Sequence, residues 1–475
     1  MFLRRISIFS ITLLIAHGCA TVPRHDLANK LTSGDCKEVA SLAIESGFFE
    51  EGDWPKEAWW KEFEDPTLNH LMEQTLKLSP TLQRAESRLK AAAQVALQKK
   101  ARLFPEIDLD FTDNWQHLSK HGLYRQFAPV FPAVINQIDL DFNFTYEFDF
   151  WGKNRDLFQA ALGQAAAQAA EKNQAALILT TSVAYSYFQA QFYLRKIEIL
   201  EQIEKNKEEI YALTFKRQQD ALANSLESLT SSTLTLDVKA ELLATEQDLR
   251  TELHKLKALS ALGQDADVNL PWTPLKETQV AVPANLSIDL LARRPDLAAQ
   301  LMRLEAAAKE IDAAKTDFYP NINLNAFLGL ETVKNGPLFN RASYSGSLAP
   351  ALHLPIFTAG RLKAQLFEKV DLFDEAVYAY NELILAAAQE VADSLTNIAL
   401  LWKQIEARKA TVDNAQKKSN LTESRFKHAV DDKITLLDTQ NSLLEAELEL
   451  TQLSYAKQTA QIQLIRALGG GYQHE

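Results

Sequence analysis

The chain contains very little cysteine or methionine for its length. Of its 475 residues, two are cysteine, three are methionine and nine are scattered histidines. The cysteines, Cys19 and Cys36, cannot provide a disulfide framework or a CxxC metal site. Methionine-rich coordination of copper or silver is likewise unsupported. We therefore expect no metal centre and no cofactor.

Catalytic signatures are missing as well. The chain has no HExxH, GxSxG, P-loop or dinucleotide glycine motif. Gly469, Gly470 and Gly471 follow a predicted helix instead of preceding one, which is typical of a helix C-cap. A formal net charge of -12 disfavours nucleic-acid binding. The sequence thus predicts neither an enzyme nor a nucleic-acid partner.

The N-terminus carries an export signal. Arg4 and Arg5 precede a short apolar run from Ile6 to Ala16, too short for an ordinary transmembrane helix. The segment 16–19, Ala-His-Gly-Cys, matches a bacterial lipobox, which predicts a signal peptide over 1–18 and a lipid on Cys19. The alternative is an ordinary signal peptide with an incidental cysteine. The residue after Cys19 is not Asp, which favours sorting to the outer membrane.

Two long stretches lack both helix-breaking residues. No proline occurs between Pro132 and Pro271 or after Pro355, and no glycine occurs between 163 and 263 or between 360 and 469. Both stretches are rich in strong helix formers. We predict that each folds back once, near 220–225 and near 429–433, and that the helices reach about 100 Å.

Apolar residues in both stretches follow heptad-like spacing, which predicts coiled-coil seams. The second seam is partly polar, because Asn441 and Thr451 occupy two of its positions. The first seam contains Val183, Tyr187, Ala190, Leu194 and Ile197, and the second contains Leu437, Leu444, Leu448 and Tyr455.

Strict alternation of apolar and polar residues marks a different kind of segment. One such segment has an aromatic face of Phe142, Phe144, Tyr146, Phe148 and Phe150. Related patterns occur at 107–111, at 322–330 and at 344–356, the last interrupted by Gly346 and Pro350. A half-buried soluble sheet alternates in the same way. The density of aromatic residues and the lipobox favour strands that face lipid.

The chain also contains an internal duplication. Residues 79–109 align without gaps to residues 294–324, and Ala261-Leu262-Gly263 is echoed by Ala467-Leu468-Gly469. Each half therefore provides two strands and a long helical hairpin. Four strands cannot close a barrel in lipid, so a barrel must be shared between copies of the chain. Two copies would supply eight strands and three copies twelve.

Four motifs resemble those of NodT-type outer-membrane efflux lipoproteins, a branch of the TolC-like family, and they occur in the family order. They are WWKEFEDPTL at Trp59–Leu68, YEFDFWGK at Tyr146–Lys153, LARRPDL at Leu291–Leu297 and RALGGG at Arg466–Gly471. The resemblance implies a mainly α fold, with a twelve-stranded transmembrane β-barrel shared by a homotrimer. A long periplasmic α-helical barrel and an equatorial belt would continue from it.

The resemblance also implies partners and a division of the chain. The partners would be outer-membrane lipid, a periplasmic adaptor and an inner-membrane RND pump that supplies the energy. The expected segments are a signal peptide (1–18), a lipidated N-terminal and equatorial segment (19–66), a first repeat (67–263), an equatorial linker (264–285), a second repeat (286–468) and a C-terminal tail (469–475).

At the hairpin tips the family usually has glycine, whereas this chain has Ala221 and Ala429. A positive φ there would cost an alanine about 1 kcal/mol relative to glycine. The resemblance implies that Asp431, and less clearly Asp432, line a periplasmic gate, where crowded carboxylates would raise one another's pKa. The alternative is that an aspartate only caps the next helix.

The predicted function is a passive exit duct that carries small molecules, such as drugs, out of a Gram-negative cell. A channel for type I protein secretion would share this architecture. A lipid-anchored periplasmic coiled-coil protein without a pore is a further alternative, and the alternating strands disfavour it.

Overall fold

The computed structural model describes residues 22–31, 49–127, 130, 132–266, 270–275, 280–283, 293–333 and 336–473. Cys19, Cys36 and parts of the predicted linker 264–285 lie outside the described residues. The described chain is mainly helical, with a four-stranded antiparallel sheet and a two-stranded parallel one. The predicted fold class is confirmed.

The elements follow one another in two similar series. In chain order they are β1 (Phe49–Gly52), α1 (Pro66–Leu78), α2 (Pro80–Ala101), β2 (Glu106–His117), α3 (Leu123–Phe127), β3 (Val134–Phe148), α4 (Lys153–Gln219), α5 (Ser225–Leu259), β4 (Val280–Pro283), α6 (Pro295–Thr316), β5 (Asn321–Val333), β6 (Tyr344–His353), α7 (Arg361–Lys427) and α8 (Lys433–Ala467).

The long helices occupy the stretches that lack proline and glycine. Helices α4 and α7 have 67 residues each and rise about 100 Å. Their partners α5 and α8 have 35 residues each. Both predicted reversals are confirmed, because the turns lie at 220–224 and 428–432. The two arms of each hairpin are nevertheless unequal in length.

The predicted seam of α4 is only partly correct. Val183, Tyr187 and Ala190 are fully buried, but Leu194 and Ile197 are half-buried. Burial passes instead to Ile199, Leu200, Ile203 and Ile210. A straight α-helix has 3.6 residues per turn, so a strict heptad pattern drifts around its surface. In α8, Asn441 is buried at the predicted polar seam position, and its Oδ1 accepts a hydrogen bond from Asn206 Nδ2 at 2.8 Å.

The four-stranded sheet has the order β2-β3-β5-β6, and every neighbouring pair is antiparallel. The two middle strands therefore come from different halves of the chain, while β2 and β6 form the edges. Strand β6 runs unbroken through Gly346 and Pro350, so these two residues interrupt the apolar pattern but not the predicted strand. An edge strand tolerates proline, because one side of its backbone has no partner strand.

Three predicted strand residues lie beyond the strand ends. Strand β3 ends at Phe148, so Phe150 lies in the following bend, where its ring stacks on that of Phe148 with centroids 5.7 Å apart. Strand β6 ends at His353, so Leu354 and Ile356 lie in the connection to α7, where Ile356 is exposed. Alternation alone does not mark a strand end, because an apolar residue also fits the segment that follows.

The repeat is preserved in three dimensions. Helices α2 and α6 have 22 residues each and begin at Pro80 and Pro295, which confirms the alignment of 79–109 with 294–324. The shift changes after the strands. From Lys153 of α4 to Arg361 of α7, the first residues of equal-length helices, the shift is 208 residues. That shift places Ala261 (φ 55°) opposite Gly469 (φ 88°), each one residue beyond the helix cap. The match of the two Ala-Leu-Gly sequences paired Gly263 with Gly469. The structure pairs Ala261 with Gly469, so the sequence match is two residues out of register.

The described residues form two compact units. The first draws on those within 1–30, 89–167 and 300–379, and the second on those within 31–88, 168–299 and 380–475. The first contains the four-stranded sheet, and the second contains the parallel pair β1–β4 and both hairpin turns. Helix α7 contains a stretch that is apolar enough to cross a membrane. A core helix can pass the same test, so no span is assigned to it.

Candidate functional site

One face of the four-stranded sheet is apolar in the rows nearest the long helices. Phe144 lies opposite Ile107 on one side and Ala326 on the other, and Ala326 lies opposite Leu348. Directly opposed residues point to the same face. The next rows on this face contain Phe142 with Leu109 and Leu328, Tyr146 with Leu324, and Phe148 with Ile322 and Leu352. Several of these side chains are exposed, as expected for a surface that meets lipid.

The opposite face is acidic. Amide side chains donate hydrogen bonds to some of its carboxylates: Asn143 to Asp110 at 2.8 Å and Asn321 to Glu147 at 2.8 Å. None of the described residues in the four strands is lysine or arginine. The carboxylates on this face are Glu106, Asp108, Asp110, Asp139, Asp141, Glu147 and Glu331. A water-filled pore lined by this face would carry a negative potential.

Both hairpin turns adopt the same strained geometry. Ala221 and Ala429 have φ angles of 60° and 59°, in the left-handed region. At the first turn the N–H of Leu222 donates to the carbonyl of Arg217 at 2.8 Å, and at the second Val430 donates to Arg425 at 2.8 Å. These bonds satisfy carbonyl groups at the helix end, as in a Schellman motif. Both alanines therefore have the positive φ that carries a steric cost relative to glycine.

Asp432 caps the helix that follows the second turn. Its carboxylate accepts a hydrogen bond from the backbone N–H of Thr435 at 2.8 Å. Hydrogen bonds from the Thr435 side chain and backbone lower the pKa of Asp432, and the positive charge of Arg217 lowers it further. The cap interpretation of Asp432 therefore describes its contacts within the protomer. The first turn has Asn224 in the equivalent capping role.

Asp431 has a different partner. Arg425 Nε donates to its Oδ2 at 2.7 Å, and Arg425 Nη2 donates to its Oδ1 at 2.9 Å. This pairing lowers the pKa of Asp431, whereas crowding in a carboxylate ring would raise it. The part of Arg425 in this pair was not predicted from the sequence. An arginine six residues before the aspartate, across a Schellman turn, is the signal that could have indicated the pair.

A second polar cluster joins the N-terminal motif to α4. Tyr187 OH lies 2.5 Å from Asp65 Oδ2, and Asp65 also caps α1 by accepting from the N–H groups of Thr67 and Leu68. Gln191 Nε2 donates to Tyr187 OH at 3.2 Å and to the Pro271 carbonyl at 2.8 Å. Burial, and then hydrogen bonding to Asp65, raises the pKa of Tyr187. This cluster holds three distant chain segments together.

The family model for outer membrane efflux proteins matches residues 71–262 and 286–470. The multidrug resistance outer membrane protein MdtP of Shigella flexneri is 28% identical over 98% of this chain and 96% of its own. The multidrug resistance outer membrane protein MdtQ of Escherichia coli O157:H7 is 30% identical over 99% of this chain and 98% of its own.

A solved structure gives the same result. The outer membrane protein VceC of Vibrio cholerae is 30% identical and superimposes with a TM-score of 0.77, covering 88% of this chain and all of that one. The similarity therefore extends over both halves of the repeat, including the sheet and the long hairpins. The chain belongs to the outer membrane efflux protein family.

Proposed function

We propose that this chain is one protomer of a homotrimeric channel across the outer membrane, which serves as the exit duct of a tripartite efflux pump. The observation that carries the proposal is the four-stranded sheet, with one apolar face, one acidic face and two unpaired edges. In lipid, unpaired edges are costly, so the sheet must be closed by other copies of the chain.

Three copies would close a barrel of twelve strands. The apolar faces would then contact lipid, and the acidic faces would line a pore. Two copies would give eight strands, which is also an even number. The resemblance to TolC-like channels, and the long hairpins available to line a periplasmic duct, favour three.

The hairpin tips would form the periplasmic entrance. The turns at Ala221 and Ala429 lie at the ends of the hairpins, where a periplasmic adaptor and an inner-membrane RND pump would engage the channel. Asp431 is the gate residue in this proposal, and Asp432 supports the turn as a helix cap. Cys19 would carry the lipid that tethers the chain to the membrane.

The cargo would be small molecules that include drugs. MdtP and MdtQ bear names that refer to multidrug resistance, and we extend that class of cargo to this chain. A type I protein secretion channel would have the same architecture, and the identity of the cognate pump distinguishes the two.

The test uses the purified full-length protein. We expect an SDS-resistant trimer that dissociates on heating, and ion conductance in a planar lipid bilayer. Loss of the gene should sensitise cells to drugs only when the cognate adaptor and pump are present. A monomer that gives no conductance in the bilayer would contradict the proposed function.

A further inference from the structure

Aromatic residues lie beside each strand at the end of the sheet that is next to the helices. Phe104 precedes β2 with 61% of its surface exposed, and Phe357 follows β6 with 86% exposed. Between them, the rings of Trp151 and Tyr319 stack with centroids 5.1 Å apart. Aromatic residues are enriched where a membrane-spanning barrel meets the lipid headgroups. In the proposed barrel, this end of the sheet would lie at the level of the periplasmic headgroups.

Cations at the two central strand ends are neutralised within the chain. Lys153, which begins α4, pairs with Asp317 at 2.7 Å. Arg155 pairs with Asp149 at 3.3 Å and also donates to the Asp149 carbonyl at 3.1 Å. Each cation thus has a carboxylate partner, which leaves little net positive charge there to attract an anion.

The two edge strands have a different arrangement. Lys100 and Arg102 lie just before β2, Arg361 and Lys363 lie just after β6, and all four side chains are exposed. Within the part of the chain that the structure describes, none of the four forms an ion pair. Arg361 donates to the neutral amide of Gln365 at 2.9 Å, and Lys363 lies 5.6 Å from the ring of Phe367.

The internal repeat explains this contrast. Arg361 and Lys363 are the repeat equivalents of Lys153 and Arg155. The acidic partner Asp149, however, is replaced at the equivalent position by Phe357. Asp317 neutralises Lys153. In the alignment of 79–109 with 294–324, the position of Asp317 corresponds to Arg102. At the edge strands, aromatic and basic residues thus stand where the central strands have carboxylates.

Closing the barrel would bring the two edges together. The ends of β2 and β6 that are next to the helices are Glu106 and His353, and both lie at the same end of the sheet. When β6 of one protomer pairs antiparallel with β2 of the next, Arg361 and Lys363 come beside the neighbour's Lys100 and Arg102. Four cations and two exposed aromatic rings would then meet at each subunit interface, at the level of the headgroups.

We propose that each interface binds the headgroup of an anionic phospholipid, such as phosphatidylglycerol, from the periplasmic leaflet. Lys100 and Arg102 of one protomer and Arg361 and Lys363 of the next contact the phosphate, while Phe104 and Phe357 pack against the acyl chains. Arginine and lysine are the residues that best bind phosphate oxygens. The exposed phenylalanines favour a lipid over a free phosphate. The inference rests on the proposed closed barrel.

The test is native mass spectrometry of the full-length trimer released from nanodiscs of mixed phosphatidylglycerol and phosphatidylcholine. The wild type should retain phosphatidylglycerol selectively, with up to three molecules per trimer. Each cation that is replaced by glutamine should weaken the retention of phosphatidylglycerol about fivefold. Lys100→Gln with Arg102→Gln, or Arg361→Gln with Lys363→Gln, should therefore reduce it roughly 25-fold. The matched control is Lys153→Gln with Arg155→Gln, which removes the same charges at the repeat-equivalent, neutralised positions and should retain the lipid.

Mixed trimers show whether the site spans two protomers. When the two pair variants are co-expressed, every mixed trimer has one interface with all four cations and should regain one retained phosphatidylglycerol. A site within one protomer would show no such recovery. Equal retention of both lipids, unchanged retention in the pair variants, or displacement of the lipid by excess inorganic phosphate would overturn the inference. Conductance of the same preparations tests the proposed channel separately.

Discussion

Arg425 and Asp431 form a two-point ion pair across the turn of the second hairpin, with N–O distances of 2.7 and 2.9 Å. Bidentate pairing of this kind fixes both side chains in one orientation. The equivalent positions of the first turn are Arg217 and Ala223, so the pair occurs once per protomer. A trimer would therefore contain three such pairs at its periplasmic tips.

The first prediction is that Asp431 controls cation selectivity. Asp431→Ala should weaken cation selectivity in bilayer recordings and reduce block by divalent cations, because a ring of carboxylates attracts cations. Arg425→Gln should increase block by divalent cations, because it leaves the Asp431 carboxylate without its partner. Asp438→Ala, farther along α8, is the control. If Asp431→Ala changes no more than Asp438→Ala, Asp431 is only a turn residue.

The same pair predicts a pH dependence. Arg425 lowers the pKa of Asp431, so the carboxylate stays ionised at a pH where an ordinary aspartate is already protonated. As the pH falls, cation selectivity should therefore persist below an ordinary aspartate pKa in the wild type. In Arg425→Gln the loss of selectivity should move to higher pH. Identical pH profiles for the two proteins would contradict the pairing.

The second prediction concerns the strained turns. Ala221 and Ala429 have positive φ angles, which glycine adopts without the steric cost of a Cβ atom. Ala221→Gly and Ala429→Gly should each stabilise the protein by about 1 kcal/mol, measured by denaturant unfolding. The matched control is Ala240→Gly on the exposed surface of α5, which should destabilise it by a similar amount. Destabilisation at all three positions would show that the turns are not strained.

Much of this fold could be predicted because its long helices and alternating strands leave strong local signals. The turn positions followed from the absence of glycine and proline over a hundred residues. The pairing of Ala261 with Gly469 could not be predicted, because similar letters near both helix ends suggested a shifted alignment. A helix end is fixed by backbone hydrogen bonds to the last turn, not by the identity of the residues that follow.

The unpredicted parts depend on contacts between distant segments. The parallel pairing of β1 with β4 joins segments about 230 residues apart, and each strand has only four residues. Such short strands leave almost no periodic pattern. The Asp65–Tyr187 contact was also missed, since Tyr187 was assigned to an apolar seam from its spacing alone. Spacing shows which face a side chain occupies, but not which polar atom meets it there.

The third prediction tests the lipid-facing side of the sheet. Phe144 lies on the apolar face, whereas its neighbours Asn143 and Thr145 lie on the acidic face. Phe144→Arg should sharply reduce the trimer in outer-membrane fractions, because a lipid-facing arginine costs up to roughly 2–4 kcal/mol, the value at the bilayer midplane. Asn143→Arg and Thr145→Arg should be tolerated much better. Equal trimer yields for the three variants would show that β3 does not cross the membrane.

The fourth prediction concerns the anchor. Cys19 follows the lipobox, so wild-type protein should incorporate radiolabelled palmitate and Cys19→Ser should not. The Cys19→Ser protein should still insert, because a closed barrel holds itself in the membrane without an acyl chain. Cys36→Ser is the control and should label like the wild type. Undiminished labelling of Cys19→Ser would exclude the lipoprotein assignment.

The fifth prediction concerns the buried contact between Tyr187 and Asp65. Tyr187→Phe removes the hydroxyl that meets a buried carboxylate at 2.5 Å. The unsatisfied carboxylate should cost about 1–3 kcal/mol of unfolding free energy at neutral pH. Tyr193→Phe, on the same helix, is the control, because among the described residues the Tyr193 hydroxyl has no hydrogen bond. Its effect should stay within about 0.5 kcal/mol.

The pH dependence of this stabilisation has a definite sign. Folding raises the pKa of Tyr187, so above about pH 10 the hydroxyl loses its proton in the unfolded chain and keeps it in the folded one. The stability advantage of the wild type over Tyr187→Phe should thus be complete below about pH 10 and shrink above it by at most about 1.4 kcal/mol per pH unit. Urea unfolding at a series of pH values measures both proteins. An advantage that stays constant into the alkaline range would mean that the Tyr187 hydroxyl ionises equally in both states.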